Sequence, residues 1–102
     1  MADLFSPEDC MTMAQVRAGV DALDARIVAL LADRFAYMRA AARIKPDRAD
    51  VRDEARKGQV IAQAAAEAAK LGIPADAIAA MWETLVEASI DYEMVEFARL
   101  KG

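Results

Sequence analysis

Apolar residues recur at intervals of three and four positions along most of the chain, which is the spacing of an α-helix that packs on one face. The first such run extends from about Met13 to Ile44. Its apolar positions are Val16, Val20, Leu23, Ile27, Leu30, Met38, Ala41 and Ile44. Pro46 predicts its end, because the residue before a proline is pushed out of the α region. The pattern therefore predicts one helix of about 31 residues.

Two further helices are predicted in the rest of the chain. Asp50 is the expected N-cap of the second, which runs through an alanine-rich stretch to Leu71. Gly72 then suits the left-handed conformation that commonly follows a helix end. Pro74 occupies the expected first turn of the third helix. The apolar positions of that third helix are Ile78, Trp82, Leu85, Val86, Ile90 and Phe97.

The first helix is long for a chain of 102 residues. It would extend roughly 46 Å, whereas a compact sphere of this chain length is only about 34 Å across. A second copy packed along its apolar stripe is the simplest way to bury that stripe, and a kink is the alternative. With residues 1–12 interpreted as an N-terminal arm, we predict a single all-α domain over residues 1–102, with three helices per chain in a homodimer.

Composition narrows the classes of function. The formal net charge is −4, which disfavours a nucleic-acid binder held by phosphate contacts. Histidine is absent, which excludes Ser-His-Asp and Cys-His catalysis and the usual histidine metal sites. The single cysteine, Cys10, excludes an internal disulfide. No apolar run approaches the roughly 18 residues of a membrane span, and no signal peptide is visible, so we expect a cytoplasmic protein.

Two basic residues, Arg34 and Lys45, continue the apolar stripe of the first helix. At about 100° per residue, the two side chains point within roughly 20° of one another. Burying two cations without partners is costly, so either acidic side chains or an anionic ligand must neutralise them. Arg17 lies about 25 Å from Arg34 along the helix axis. It reaches the same ligand only if an antiparallel second copy donates it, and is otherwise a solvated surface residue.

Polar residues also mark the two later helices. The segment 51–57, Val-Arg-Asp-Glu-Ala-Arg-Lys, mixes both signs of charge, which is typical of surface salt bridges. The backbone N–H groups of a helix start and the Arg56 guanidinium can equally bind an anion. In the third helix, Ser89 and Glu93 share one face. An acid on that core-facing stripe needs either Lys45 or a ligand, and both interpretations stay open.

One pattern joins the basic residues of the first helix to the start of the second. It reads Val16-Arg17-x-x-Val20-Asp21-x-x-Asp24-x-x-Ile27-Val28-x-Leu30-Leu31-x-x-Arg34, then Lys45, then Val51-Arg52-Asp53-x-x-Arg56. This pattern resembles the all-helical AroQ-type chorismate mutases over nearly the whole chain. The opening Pro7-Glu8-Asp9-Cys10 and the spacing from Arg17 to Lys45 are similar to the branch that contains isochorismate pyruvate-lyase.

The resemblance implies an intertwined homodimer with two active sites, each using one residue from the partner chain, and no cofactor or metal. It implies that Arg17, donated across the interface, and Arg34, from the same chain, hold carboxylates of a small dianionic substrate. Lys45 would contact the ether oxygen and a carboxylate. Arg56 would assist at a carboxylate, and Asp53 would lie near the ring hydroxyl.

The third helix supplies two more residues by the same resemblance. Ser89 matches a serine near the substrate carboxylate, and Glu93 occupies the position of the second donor to the ether oxygen, where glutamine is common. Lys57 stands where many mutases have a glutamate that accepts from the substrate hydroxyl, and the lyase branch also lacks that glutamate. The catalytic residues implied are therefore Lys45, Glu93 and Arg34.

The main prediction is the Claisen rearrangement of chorismate to prephenate. The first alternative is isochorismate pyruvate-lyase activity, which gives salicylate and pyruvate from isochorismate, or activity on a related chorismate-like substrate. The second is a non-catalytic helical dimer that serves as an interaction module. That second alternative predicts that protein acids neutralise Arg34 and Lys45.

Overall fold

The computed structural model describes residues 4–101. Its elements are a 3₁₀ helix (Pro7–Asp9), α1 (Met13–Ile44), a second 3₁₀ helix (Arg48–Asp50), α2 (Glu54–Lys70) and α3 (Ala75–Lys101). No strand occurs in the described part of the chain. The predicted all-α architecture of three helices is confirmed, and α1 has the bounds that its apolar spacing and Pro46 predict. None of the helices among residues 4–101 has the length and apolarity needed to cross a membrane.

The predicted N-terminal arm contains a short helical turn, Pro7–Asp9. The Ser6 hydroxyl donates to the Asp9 carboxylate at 2.9 Å, which closes the turn Pro7–Asp9. Leu4 and Phe5 line a small cleft together with the first turns of α1. Residues 1–3 of the arm lie outside the described residues.

The start of α2 differs from the prediction. Its N-cap is Asp53, whose carboxylate accepts from the backbone N–H of Arg56 at 3.0 Å. Asp50 instead ends the second 3₁₀ helix, where its carboxylate accepts from the backbone N–H of Asp47 at 3.3 Å. The prediction of Asp50 as the N-cap was wrong because three aspartates at three-residue spacing are all able to cap a helix, and the short 3₁₀ turn uses the first two.

The turn between α2 and α3 has the left-handed conformation that Gly72 predicts. Gly72 has a φ of 72°, in the left-handed region that favours glycine. Its N–H donates to the carbonyl of Ala69 at 3.2 Å, and the N–H of Ile73 donates to the carbonyl of Ala68 at 3.1 Å. These two bonds form a Schellman motif, which satisfies carbonyls that the helix end leaves without partners.

The chain forms two compact units, the first ending at Arg34 and the second beginning at Phe35. The second unit holds the end of α1 together with α2 and α3, and α2 packs against α3. Its buried apolar core is formed by Ala42, Val51, Val86, Ile90 and Phe97, with Val60, Ile61, Trp82 and Met94 packed against it. A single domain over residues 1–102 stays a prediction.

In the first unit, the apolar stripe of α1 is exposed. Between 38 and 63 % of the surface of its members is accessible: Val16, Val20, Leu23, Ile27 and Leu30. A continuous apolar face of this kind is typical of a surface that packs on another protein chain. The exposure agrees with the homodimer that the length of the helix predicts, and the dimer itself stays a prediction.

Candidate active site

An ion pair between the end of α1 and the middle of α3 is the centre of the candidate site. Lys45 directly follows the last residue of α1, and its Nζ lies 2.7 Å from Oε2 of Glu93. The side chain of Lys45 is 29 % exposed and that of Glu93 only 5 %. Burial of a carboxylate is costly unless a cation offsets the lost hydration, and Lys45 supplies that cation. The pairing of Glu93 with Lys45, one of the two interpretations left open by the sequence, is therefore present.

Ser89 lies one helical turn before Glu93 on the same buried face of α3. Both residues are 4 % exposed, so this face is shielded from water. The Ser89 hydroxyl donates to the carbonyl of Leu85 at 2.7 Å, a bond to the preceding turn that is common for helical serines. A hydroxyl oxygen that donates in this way still accepts hydrogen bonds. Its predicted role near a substrate carboxylate stays a prediction.

The start of α2 places Asp53 and Arg56 one turn apart. The Asp53 carboxylate caps the helix, and the exposed Arg56 side chain donates to Gln59 Oε1 at 2.7 Å. The helix start therefore presents the Arg56 guanidinium on its surface. Asp53, which was predicted to lie near the ring hydroxyl of the substrate, accepts a backbone hydrogen bond instead. The substrate contacts expected of both residues stay predictions.

Charged neighbours of this helix start pair with α3. Arg52 binds Glu87 through two hydrogen bonds, at 2.9 and 3.0 Å, and also binds Glu54 at 2.7 Å. Lys57 lies 2.7 Å from Glu83 and 2.9 Å from Glu87. Hydrogen bonds, first from Arg52 and to a smaller extent from Lys57, lower the pKa of Glu87 to about 2. Hydrogen bonds to Glu83 and Glu87 raise the pKa of Lys57. The salt-bridge interpretation of segment 51–57 is thus correct for Arg52 and Lys57, whereas Arg56, the third cation of the segment, donates to Gln59.

Arg17 and Arg34 belong to the first compact unit, on α1. Arg17 is exposed and Arg34 is partly buried. The structure thus brings Lys45 together with Glu93. It places Arg17 and Arg34, the two arginines predicted to bind carboxylates, on the part of α1 that belongs to the first unit. Their assembly with Lys45 into one site is part of the proposal below.

Comparison with known proteins bears directly on this constellation. The sequence model of the family described as chorismate mutase type II matches residues 16–94, well over half of the chain. The chain belongs to the chorismate mutase type II family. The isochorismate pyruvate lyase of Pseudomonas aeruginosa is 26 % identical over 97 residues, which covers 95 % of this chain and 96 % of that protein. The resemblance predicted from the sequence is confirmed, and it supports an enzyme that acts on chorismate-related substrates.

Several contacts between the end of α1 and α3 in this chorismate mutase type II chain were not predicted from its sequence. The Arg39 guanidinium donates to the Tyr92 hydroxyl at 2.8 Å, next to Glu93 in the chain. The Lys101 ammonium lies 4.6 Å from the ring centroid of Phe97 and donates to the backbone carbonyl of Lys45. The two hydrogen bonds each join residues more than 50 positions apart in the sequence, so no local spacing signals them.

Glu83 and Glu87 were also missed. They lie at i and i+4 on α3, so they share one face, and the repulsion between two acids at this spacing favours cations nearby. That spacing was the available signal, but it does not identify which of the cations along the chain approaches them. The structure shows that both are partners of the α2 start.

Proposed function

We propose that this member of the chorismate mutase type II family catalyses the Claisen rearrangement of chorismate to prephenate. The non-catalytic alternative also predicts a pair between Lys45 and an acid, so the observation that carries the proposal is that Lys45, 2.7 Å from the buried Glu93, keeps 29 % of its side chain exposed. The rearrangement needs no nucleophile. It requires that a dianion is held in its compact conformer and that the negative charge developing on the ether oxygen is stabilised. A fixed ammonium beside a water-shielded carboxyl group supplies donors suited to that oxygen.

Lys45 has enough hydrogen-bond donors to bind both Glu93 and the substrate. An ammonium carries three hydrogen-bond donors, and Glu93 Oε2 uses one of them. The side chain is 29 % exposed, so the remaining donors are open to an arriving anion. Glu93 would donate to the ether oxygen in its protonated form, because an ionised carboxylate only accepts hydrogen bonds.

The remaining contacts follow from the family resemblance. Arg34, together with Arg17 of the second chain, would hold the carboxylates of the substrate, and Arg56 would assist at a carboxylate, since the planar guanidinium binds a carboxylate through two parallel bonds. Ser89 would lie near one carboxylate, and Asp53 near the ring hydroxyl. No metal or cofactor has a role in this scheme.

A homodimer completes the proposed site. Arg17 would be donated by the second chain, and the exposed stripe that includes Val20 and Ile27 supports packing of two α1 helices against each other. Arg17→Ala and Arg34→Ala chains should then each be nearly inactive. Refolded together they should recover activity, because one of the two sites in a heterodimer carries neither substitution. Heterodimers shown by mass without recovered activity would contradict the shared site.

Isochorismate pyruvate-lyase activity is the second candidate, because the Pseudomonas aeruginosa relative carries that name. Elimination of pyruvate from isochorismate breaks the corresponding ether linkage, so Lys45 would stabilise the same developing charge. Lys57 stands where many mutases have a glutamate, which weakens the mutase assignment without establishing the lyase, and it lies with Glu83 and Glu87 in the cluster between α2 and α3.

A direct assay tests the proposal. The purified protein is given chorismate and isochorismate in parallel, and prephenate, salicylate and pyruvate are measured. We expect prephenate from chorismate with the larger kcat/KM. Salicylate and pyruvate formed with the larger kcat/KM would replace the mutase assignment by the lyase. No turnover of either compound, together with no thermal stabilisation by a transition-state analogue, would favour the non-catalytic dimer.

A further inference from the structure

The cluster between α2 and α3 has a feature that ordinary surface salt bridges lack. A single carboxylate, Glu87, receives two bonds from Arg52 and one from Lys57. These two cations bracket the first turn of α2 along the chain. Between them lie the N-cap Asp53 and the guanidinium of Arg56.

We propose that Glu87 is a positioning residue for Arg56, because it fixes the helical turn that presents the guanidinium to a substrate carboxylate. The proposal rests on the proposed function, which gives Arg56 that contact. Glu87 acts through the backbone of the turn, since its own bonds go to Arg52 and Lys57.

The start of α2 needs such an anchor. The first N–H groups of a helix have no intrahelical acceptors, so helix starts open more readily than helix centres. Here the Asp53 carboxylate satisfies one of them, the Arg56 N–H at 3.0 Å, and the Asp53 carbonyl accepts the first regular helical bond, from the Lys57 N–H at 2.9 Å. Those bonds hold the turn to itself. The bonds of Arg52 and Lys57 to Glu87 hold it to α3.

Every charged group that faces Glu87 in this cluster is already paired. Arg52 is shared with Glu54, and Lys57 is shared with Glu83. Removal of the Glu87 charge would leave Arg52 and Lys57 with one acidic partner each. If Glu87 acted only through its charge, that removal would strengthen the attraction of a dianionic substrate and lower KM. Positioning predicts the opposite sign, which makes the two explanations separable.

The test uses Glu87→Gln, Arg56→Ala and the double variant in the full-length protein. We expect Glu87→Gln to raise KM for chorismate on the order of fivefold, with kcat within about twofold of the parent, because a carboxylate clamp binds the ground state and the transition state alike. In the Arg56→Ala background the same substitution should have no further effect on KM. Glu96→Gln is the matched control, since Glu96 pairs with Arg99 on α3 itself and should leave KM unchanged.

Amide hydrogen exchange gives a second measurement that does not depend on turnover. Glu87→Gln should accelerate exchange at the N–H groups of Arg56 and Lys57, and Glu96→Gln should not. A lowered KM, an equal rise of KM in the Arg56→Ala background, or unchanged exchange at these amides would each overturn the proposal. If the parent protein turned over neither chorismate nor isochorismate, the proposed function would fail, and the exchange data would still decide whether Glu87 holds the α2 start.

Discussion

Two acids of α3 meet cations from other elements of the second unit, and they do so at different depths. Glu93 pairs with Lys45 while its side chain is 5 % exposed, whereas Glu87 pairs with Arg52 and Lys57 while its side chain is 39 % exposed. Water and salt screen the exposed cluster, so it contributes little per pair. The buried pair lies in a medium of lower effective dielectric, where charges act strongly on a bound group. Burial therefore separates a pair suited to chemistry from a cluster suited to holding helices.

The number of partners differs as well. Glu87 is bound by two cations, each of which also contacts another acid, so the exposed cluster is internally saturated. Among residues 4–101, Lys45 contacts one carboxylate, and part of its side chain is open to solvent. An incoming anion therefore finds a usable donor at Lys45, and would have to displace acids to gain one at Arg52 or Lys57.

The largest expected effect is at the buried pair. Lys45→Ala should lower kcat about 10²–10³-fold, the loss typical of one charge-stabilising donor, because the ammonium would no longer stabilise the ether oxygen in the transition state. Lys70→Ala is the matched control, since Lys70 is exposed and lies 3.6 Å from Glu67 on its own helix. It should leave steady-state kinetics unchanged. A Lys45→Ala variant with a raised KM and an unchanged kcat would make Lys45 a simple binding group.

The next effect concerns the other member of that pair. If Glu93 donates to the ether oxygen, Glu93→Gln should keep activity, since an amide also donates. Glu93→Ala should lower kcat, because it leaves no donor at this position. The rates of the parent, Gln and Ala proteins at one pH make the comparison, and equal rates for the Gln and Ala variants would assign Glu93 a structural role alone.

The sequence predicted the buried pair better than the exposed cluster, and the reason is physical. An acid within an apolar stripe must meet a cation or a ligand, so Glu93 and Lys45 were identifiable from their positions on their own helices. Arg52 and Lys57 have many acids within reach of a flexible side chain, and only the packing of α2 on α3 selects Glu83 and Glu87.

The helix ends show the same contrast between features that one residue determines and features that depend on its surroundings. Pro46 and Gly72 each end a helix through a backbone property of that single residue, so the two helix ends were predictable. The start of α2 was not, because Asp50 and Asp53 have the same capping chemistry and the choice depends on the 3₁₀ turn that precedes the helix.

The smallest expected effect is at the exposed cluster and concerns stability. The pKa of Glu87 is lowered from about 4.5 to about 2 in the folded protein, so the unfolded chain binds more protons between those values. The contribution of Glu87 to stability is therefore fully present above about pH 4.5 and is lost as the pH falls to about 2. Glu87→Gln should lower Tm slightly at pH 7, and its melting curve should converge with that of the parent protein in this acid range. Glu67→Gln, which alters a long contact to Lys70 within α2, is the control and should change Tm less at pH 7. A Tm difference between parent and Glu87→Gln that persists at pH 2 would show that the side chain stabilises the protein by packing, and the contrast with the buried pair would no longer be one of charge.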